Sequence, residues 1–168
     1  MTILDNGTPV DERFTSPNST PANSVNRVFG MPRNITGITI HHWGNKGQKF
    51  DNVRNFLCTE AAGTSAHFVV EDKRVACIVS TVDAAWHAGS AEGNATTIGI
   101  ECRPEMTQGD IDTLVSLIRY LEGLYGSLLI YKHSDWVSTA CPGDYSDKID
   151  SIVNLVNGDG VSNCKCAC

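Results

Sequence analysis

The stretch Ile38-Thr39-Ile40-His41-His42-Trp43 combines alternating β-branched residues with two adjacent histidines. This alternation is typical of a strand, and the apolar character indicates a strand in the interior of a sheet. The strand predicted over residues 37–42 therefore delivers a histidine to its end. Neighbouring strand residues point to opposite faces, so a site on one face takes either His41 or His42, not both.

Strands and helices alternate on both sides of this strand. Because one hairpin lies among helical connections, the pattern predicts a single mixed α/β domain with a central mixed β-sheet flanked by helices. The predicted elements are a helix over 51–57 with Asp51 as N-cap, a hairpin of strands 66–71 and 74–80, strands over 96–101 and 128–132, and a last helix over 144–156.

The segment 107–125 has the clearest helical pattern. Its apolar residues recur at intervals of three and four, and Thr107 with Asp110 forms the sequence signature of a capping box. A helix is therefore predicted there, starting at Thr107.

Composition divides the chain into three parts. Residues 1–34 are rich in Pro, Ser, Asn and Thr and predict an irregular N-terminal arm, whereas residues 35–156 carry the periodic segments of one folded domain. Residues 157–168 resemble a linker and contain three cysteines, Cys164, Cys166 and Cys168. Their spacing does not match a closed metal site, so no role is predicted for them.

Composition also excludes several classes of function. The net charge of -6 argues against a nucleic-acid surface, which normally presents a basic stripe. No segment approaches the roughly 20 apolar residues that span a bilayer, and the N-terminal residues do not resemble a secretory signal. The odd number of cysteines, 7, and their apolar surroundings favour synthesis in a reducing compartment. We expect a protein made in the cytoplasm.

His133 and Cys141 are candidate metal ligands, and the histidine at the end of the first strand is a third. Three protein ligands leave one zinc position open, which is typical of a catalytic metal, whereas a structural zinc normally has four. A structural site would need a further ligand, for which His42 and His67 are the candidates.

Five segments, in this order, resemble one protein family. They are Ile38-Thr39-Ile40-His41-His42, Ser65-Ala66-His67-Phe68-Val69-Val70, Ala85-Trp86-His87-Ala88-Gly89, Thr97-Ile98-Gly99-Ile100-Glu101, and His133 through Pro142-Gly143-Asp144. Together they are similar to the zinc N-acetylmuramoyl-L-alanine amidases of the type-2 amidase and peptidoglycan-recognition superfamily. The resemblance covers about residues 35–156, so this part is expected to be the zinc amidase catalytic domain.

The resemblance implies hydrolysis of the amide between N-acetylmuramic acid and the L-alanine of the peptidoglycan stem peptide. It also implies one catalytic Zn²⁺ ion held by His41, His133 and Cys141, and it favours His41 over His42. Glu101 takes the position of the family's general base, for which the alternative is a surface acid at a strand end. Some members carry a tyrosine where this chain has Ala66, which fits the subgroup that uses the glutamate.

A second departure concerns the oxyanion. Several members carry a lysine two residues before the last ligand, and this chain has Thr139, whose hydroxyl can donate a weaker hydrogen bond. Thr139 is therefore predicted to assist catalysis.

Five further residues are candidates for substrate contact. A histidine in a strand is more often hydrogen-bonded in the core or behind a metal ligand than a ligand itself, and large aromatic residues are often core. The candidates are Trp43, His67, Trp86, His87 and Asn94.

The predicted partner is bacterial peptidoglycan, or a muropeptide derived from it, bound by a monomer without nucleic acid. A phage endolysin that lyses the cell wall is favoured over a host recycling enzyme, because no export signal is recognised and the chain ends in a linker-like segment. The rival from another class is a recognition module that binds muropeptide without cleaving it. Such modules usually lack the cysteine ligand, so Cys141 argues for the enzyme.

Overall fold

The computed structural model describes residues 2–158, and in that range the chain forms eight strands and five α-helices. The strands are β1 (Val10–Asp11), β2 (Ser19–Thr20), β3 (Gly37–His42), β4 (Phe68–Glu71), β5 (Arg74–Cys77), β6 (Ala84–Ala85), β7 (Thr97–Cys102) and β8 (Leu129–Lys132). The helices are α1 (Ala22–Phe29), α2 (Phe50–Leu57), α3 (Ala91–Thr96), α4 (Gln108–Tyr125) and α5 (Ile149–Val156).

Six of these strands form one mixed sheet in the order β1-β5-β4-β7-β3-β8. The β4–β5 pair is antiparallel, and all other neighbours in this sheet are parallel. The predicted mixed central sheet flanked by helices is therefore confirmed. β2 and β6 form a separate antiparallel pair.

The two faces of the sheet differ in chemistry. Alternate residues of β3 and β7, among them Ile38, Ile40, Ile98 and Ile100, pack with α4 and α5 in the main hydrophobic core. The opposite face packs against α2 through Val69, and at its end it carries polar residues instead of a continuous apolar layer. Because side chains alternate along a strand, one sequence supplies both the core and the polar face.

Two predicted elements match the structure closely. Helix α4 has Thr107 as its N-cap, and both hydrogen bonds of the capping box with Asp110 are present. The predicted hairpin forms from β4 and β5, although each strand is shorter than the alternation predicts. Its turn places Lys73 at a positive φ of 54°.

Helix α2 begins differently from the prediction. Its N-cap is Lys49, which makes no side-chain cap, so the assignment of Asp51 as N-cap is wrong. The Asp51 carboxylate instead forms ion pairs with Arg54 at 2.9 Å and Arg74 at 2.8 Å. Because Asp51 lies in the first helical turn, its negative charge still interacts favourably with the helix dipole.

The last helix, predicted over residues 144–156, is divided into two elements in the structure. Gly143–Lys148 forms a 3₁₀ segment, and the α-helix starts only at Ile149. Tyr145 explains the tighter turn, because its ring is buried in the main core and its hydroxyl donates to the Arg103 carbonyl at 2.8 Å. This anchor is a tertiary contact, which helical periodicity does not reveal.

The N-terminal segment is more regular than its composition predicts, so the description as an irregular arm is wrong for part of it. Helix α1 buries Val25 completely against Ala84 and Ala95. Polar side chains from the same segment hold neighbouring loops: the Ser16 hydroxyl donates to the Leu57 carbonyl at 2.6 Å. The division of the chain after residue 34 stays a prediction.

Within residues 2–158, no helix is both long and apolar enough to cross a bilayer. Most of the predicted tail, including Cys164, Cys166 and Cys168, lies outside the described residues.

Candidate active site

Three parallel strands bring the candidate residues to one edge of the sheet. His41 in β3 lies in register with Glu101 in β7, and residues in register on neighbouring strands share a face. His133 follows directly after β8, which pairs with β3 on its other side. The loop after His133 then returns Cys141 to the same edge. The carboxyl ends of parallel strands therefore assemble a site from distant parts of the sequence.

His41, His133 and Cys141 form a group that can hold a metal ion. One ligand atom from each lies within 4.8 Å of the other two, and the Cys141 Sγ is 3.7 Å from the His41 Nδ1. A nitrogen ligand and a sulfur ligand of a tetrahedral zinc ion lie roughly 3.5 Å apart, so the distance between His41 Nδ1 and Cys141 Sγ fits the ion. The three side chains are those that the sequence predicts as ligands.

The protonation of Cys141 also bears on a metal. Burial raises the pKa of this thiol to about 12. A thiolate at this position therefore needs a positive charge beside it, and a bound metal cation provides that charge and deprotonates a coordinating thiol.

The neighbouring histidine, His42, faces away from this group. Its Nδ1 accepts a hydrogen bond from the Gly44 N–H at 3.0 Å, and its ring lies against Gly143. The His42 backbone N–H points to the Cys141 Sγ at 3.4 Å. Among residues 2–158, neither His42 nor His67 joins the three-residue group. This leaves room for a fourth, non-protein ligand.

Glu101 lies beside the metal-ligand group with an unsatisfied carboxylate. The residue is half-buried, and its Oε2 atom is enclosed without a hydrogen-bond partner in the part of the chain that the structure describes. Burial raises the pKa of Glu101 from 4.5 to about 7. A carboxylate with a pKa near neutrality can both accept and return a proton, which suits a general base that later acts as an acid.

A cavity of about 430 Å³ opens beside Glu101. Trp43 lines it, is 8% exposed, and has an indole N–H that makes no hydrogen bond within the described part of the chain. Helix α2 supplies amide and apolar side chains to the remaining wall, including Asn52 and Phe56. The cavity thus lies beside the Trp43 side chain and Glu101, with the indole N–H itself buried.

Behind His41 lies a second buried histidine, His87. The His41 Nε2 is 3.0 Å from the His87 Nδ1, and both rings are buried. Burial lowers the pKa of each ring well below 6.5, so both are neutral; for His87, the Thr97 carbonyl opposes the shift by accepting a hydrogen bond. Asn94 holds the backbone here, because its Oδ1 accepts from the N–H groups of His87 and Ala88 at 2.9 and 2.8 Å.

His67 is fully buried further from the metal-ligand group. Its Nδ1 accepts from the Gly99 N–H at 2.9 Å, and its Nε2 lies 3.1 Å from an Arg33 guanidinium nitrogen and 3.2 Å from the Asp83 carbonyl oxygen. Burial lowers its pKa to about 3.

Sequence reasoning missed Arg33, whose guanidinium is largely buried beside His67. Its nitrogen atoms donate to the carbonyl oxygens of Thr81, Asn94 and Thr97, and burial lowers its pKa to about 10. A single arginine in a polar segment offers no motif that would have identified it.

The remaining candidates lie nearer the surface. Trp86 is 40% exposed, and its indole N–H donates to the Thr20 hydroxyl at 2.9 Å. Thr139 is exposed, and its Oγ1 accepts from the Cys141 N–H at 3.2 Å, which leaves the hydroxyl proton free to donate. Contact of Trp43, Trp86, His67, His87 and Asn94 with substrate stays a prediction; Trp43 and Trp86 reach a cavity or the surface.

The fold and site together define a mixed α/β domain that presents an enclosed carboxylate beside three side chains that can hold a metal ion. The sequence profile described as N-acetylmuramoyl-L-alanine amidase (Amidase_2) matches residues 31–144. The chain therefore belongs to the N-acetylmuramoyl-L-alanine amidase family Amidase_2, as its motifs predict.

Two relatives from Bacillus subtilis show the extent of this similarity. The N-acetylmuramoyl-L-alanine amidase CwlA is 28% identical over 123 residues, which cover 66% of this chain and 44% of that protein. The N-acetylmuramoyl-L-alanine amidase XlyA is 29% identical over 133 residues, which cover 73% of this chain and 44% of that protein. The match thus spans less than half the length of these relatives.

A solved structure shares the fold. The catalytic domain of XlyA superposes with a TM-score of 0.72 at 22% sequence identity, covering 88% of this chain and 99% of that domain.

Proposed function

We propose that this chain is a zinc-dependent N-acetylmuramoyl-L-alanine amidase that hydrolyses the amide between N-acetylmuramic acid and L-alanine in peptidoglycan. The observation that carries the proposal is the group of His41, His133 and Cys141 beside the unsatisfied carboxylate of Glu101. Family membership supports the same reaction.

His41, His133 and Cys141 would hold one Zn²⁺ ion. When bound, zinc would supply Lewis acidity, which polarises an amide carbonyl and lowers the pKa of bound water to about 7. Two neutral imidazoles and one thiolate leave a net charge of about +1 on such a site, which favours negative charge on the reacting oxygen.

Glu101 moves the proton in this proposal. Its carboxylate accepts a proton from the attacking water and passes it to the departing L-alanine nitrogen, because an amine leaves poorly without protonation. A nearby zinc ion would lower the pKa of Glu101 from its value near 7 and so keep the carboxylate ionised before attack.

Three features would position the substrate. The free proton of the Thr139 hydroxyl can be donated to the developing oxyanion at the exposed side of the site. The cavity beside Glu101, which Trp43 and residues of α2 line, can accept part of the muropeptide. Trp86 offers an exposed ring for a sugar face or stem-peptide methylene groups.

The setting that fits this activity is an endolysin-like enzyme, made in a host cytoplasm and acting on the bacterial cell wall as a monomer. The net charge of -6 argues that this acidic chain by itself binds an anionic wall poorly. Saturable wall binding by the chain alone at physiological salt would contradict that expectation.

The direct test is incubation of the purified protein with cell walls, with and without a chelator. We expect new L-alanine amino groups in the reaction without chelator and none with it. If a protein that contains one zinc ion per chain frees no L-alanine amino groups, the proposed amidase activity is refuted. Binding of muropeptide without cleavage would then favour a recognition module.

A paired substitution tests the role of Glu101. Glu101→Gln should reduce turnover by about 10²- to 10⁴-fold while the zinc content stays at one ion per chain. Glu71→Gln is the matched control, because Glu71 is also a half-buried acid at a strand end, where it pairs with Arg74. Loss of zinc from Glu101→Gln would instead identify Glu101 as a ligand.

A further inference from the structure

A chain of hydrogen bonds runs behind the metal-ligand group, from a side chain that can only donate to a backbone group that can only accept. The Trp136 indole N–H donates to the Thr39 Oγ1 at 2.9 Å, and Thr39 Oγ1 lies 2.8 Å from Thr97 Oγ1. The Thr97 hydroxyl donates to the Gly93 carbonyl oxygen at 2.7 Å. Thr39 and Thr97 are completely buried, so water does not compete for these bonds.

The two ends determine the direction of every bond between them. The single hydroxyl proton of Thr97 is used on the Gly93 carbonyl, so Thr97 Oγ1 can only accept from its other neighbours. Thr39 must therefore be the donor in the bond between the two hydroxyl groups. Its own oxygen accepts from Trp136.

The same reasoning extends to His87. Its Nε2 faces the Thr97 Oγ1 at 3.5 Å, and the ring also contacts the Thr97 backbone carbonyl; neither oxygen has a proton to give. The proton of this neutral ring must therefore be on Nε2, which leaves Nδ1 as an acceptor. His87 Nδ1 is the atom that lies 3.0 Å from the His41 Nε2.

We infer that this chain of hydrogen bonds makes His87 a positioning residue that selects the tautomer of His41 with the proton on Nε2. His41 Nδ1, which faces the Cys141 Sγ, then presents a lone pair before any metal binds. The opposite tautomer would place a proton where the metal must be. This inference rests on the metal-binding part of the proposed function and not on peptidoglycan cleavage.

Two features fix the position of the His87 ring and of the loop that carries His133 and Cys141. Gly99 in β7 has no side chain, and a Cβ atom there would lie 2.5 Å from the His87 Cγ. Trp136 belongs to the loop between His133 and Cys141, so its bond to Thr39 ties that loop to the strand that carries His41. The ligand loop and the tautomer of His41 are therefore set by one connected network.

The tautomer can be measured directly. A long-range ¹H–¹⁵N correlation spectrum of the metal-free protein reports which ring nitrogen of His41 carries the proton. We expect a single tautomer with the proton on Nε2. A His41 signal with the proton on Nδ1 would overturn the inference.

Two substitutions at His87 test its effect on metal binding, measured by competition with a chromophoric chelator. His87→Ala removes the acceptor, so we expect a mixture of His41 tautomers and about 10- to 100-fold weaker zinc binding. His87→Asn places an amide oxygen near the former Nδ1 and should restore most of the affinity. A folded His87→Ala protein with wild-type tautomer and affinity would overturn the inference.

A second pair keeps the test decisive if His87→Ala does not fold. Thr97→Val should weaken zinc binding several-fold, because it removes the oxygen that accepts from both Thr39 and His87. Thr113→Val is the matched control: Thr113 is also completely buried and donates to the carbonyl four residues earlier, but it lies in α4 away from the site. Equal zinc affinities of the two variants would contradict the inference.

These measurements are independent of the amidase assay. A protein that shows the expected tautomer and affinities but does not cleave cell walls would refute the proposed function alone. A protein that cleaves cell walls with His41 in the other tautomer would refute this inference alone.

Discussion

Replacing Gly99 by Ala should damage the site through a single methyl group. The added Cβ would lie 2.5 Å from the His87 Cγ and 2.8 Å from its Cδ2 and Nδ1, whereas ordinary contacts are 3.4–4 Å. The ring must therefore retreat by roughly 1 Å from a fully packed position. A shift of that size disrupts the 3.0 Å bond from His87 to His41.

The expected magnitude follows from two costs. Overpacking of a buried site costs about 1–3 kcal/mol, and a buried imidazole N–H that loses its acceptor costs about 1–3 kcal/mol. Because the two effects share one displacement, we expect a loss of about 2–4 kcal/mol in the free energy of unfolding. A domain with typical stability of about 5–15 kcal/mol would still fold.

Urea denaturation of the metal-free protein measures this loss, and chelator competition measures zinc affinity, which should fall by about tenfold or more. Gly123→Ala is the control, because a Cβ atom added at Gly123 in α4 would meet no atom within 4 Å, and this variant should gain up to about 1 kcal/mol. If Gly99→Ala stays within about 0.5 kcal/mol of wild type with unchanged zinc affinity, the packing argument for His87 is refuted.

Three further changes should alter stability in defined ways. Burial lowers the pKa of folded His67 to about 3 while the unfolded chain titrates near 6.5, so the unfolded state binds the proton first as pH falls. Between about pH 6.5 and pH 4.5, His67 by itself should therefore lower the free energy of unfolding of the metal-free protein by about 2.7 kcal/mol. An unchanged slope in His67→Gln would contradict this. The side chain introduced by Arg33→Lys cannot reproduce the hydrogen bonds to the Thr81, Asn94 and Thr97 carbonyl groups. The free energy of unfolding, measured by urea denaturation, should therefore fall by about 2–4 kcal/mol. A loss below about 1 kcal/mol would show that these bonds contribute little to stability. Thr107→Ala should cost about 1 kcal/mol through loss of the N-cap of α4, with no effect on zinc affinity.

Local patterns predicted the parts of this protein that depend on periodicity and spacing. The alternation in residues 37–42 indicated a buried strand, and Thr107 with Asp110 indicated the start of α4. The structure brings His41, His133 and Cys141 together as predicted. The choice between His41 and His42 was open to residue-level reasoning, and the family resemblance favoured the histidine that faces Cys141.

The predictions that were wrong involve residues whose partners lie far away in sequence. Asp51 pairs with Arg74 instead of capping α2, and Tyr145 enters the core and tightens the segment before α5. Helix α1 is short and is stabilised by the burial of Val25, which composition does not reveal. Short helices gain most of their stability from packing, so their existence is decided by the whole fold.

The order of the residues was enough to predict which side chains can bind a metal and which acid can move a proton, and that strands and helices alternate. How those groups are held depends on contacts between distant parts of the chain. The enclosure of Glu101 raises its pKa to about 7, and His41 lies between two distant residues, with its Nε2 3.0 Å from His87 and its Nδ1 3.7 Å from Cys141. Both effects arise because parallel strands end at one edge, where burial removes water and leaves each polar atom dependent on a specific partner.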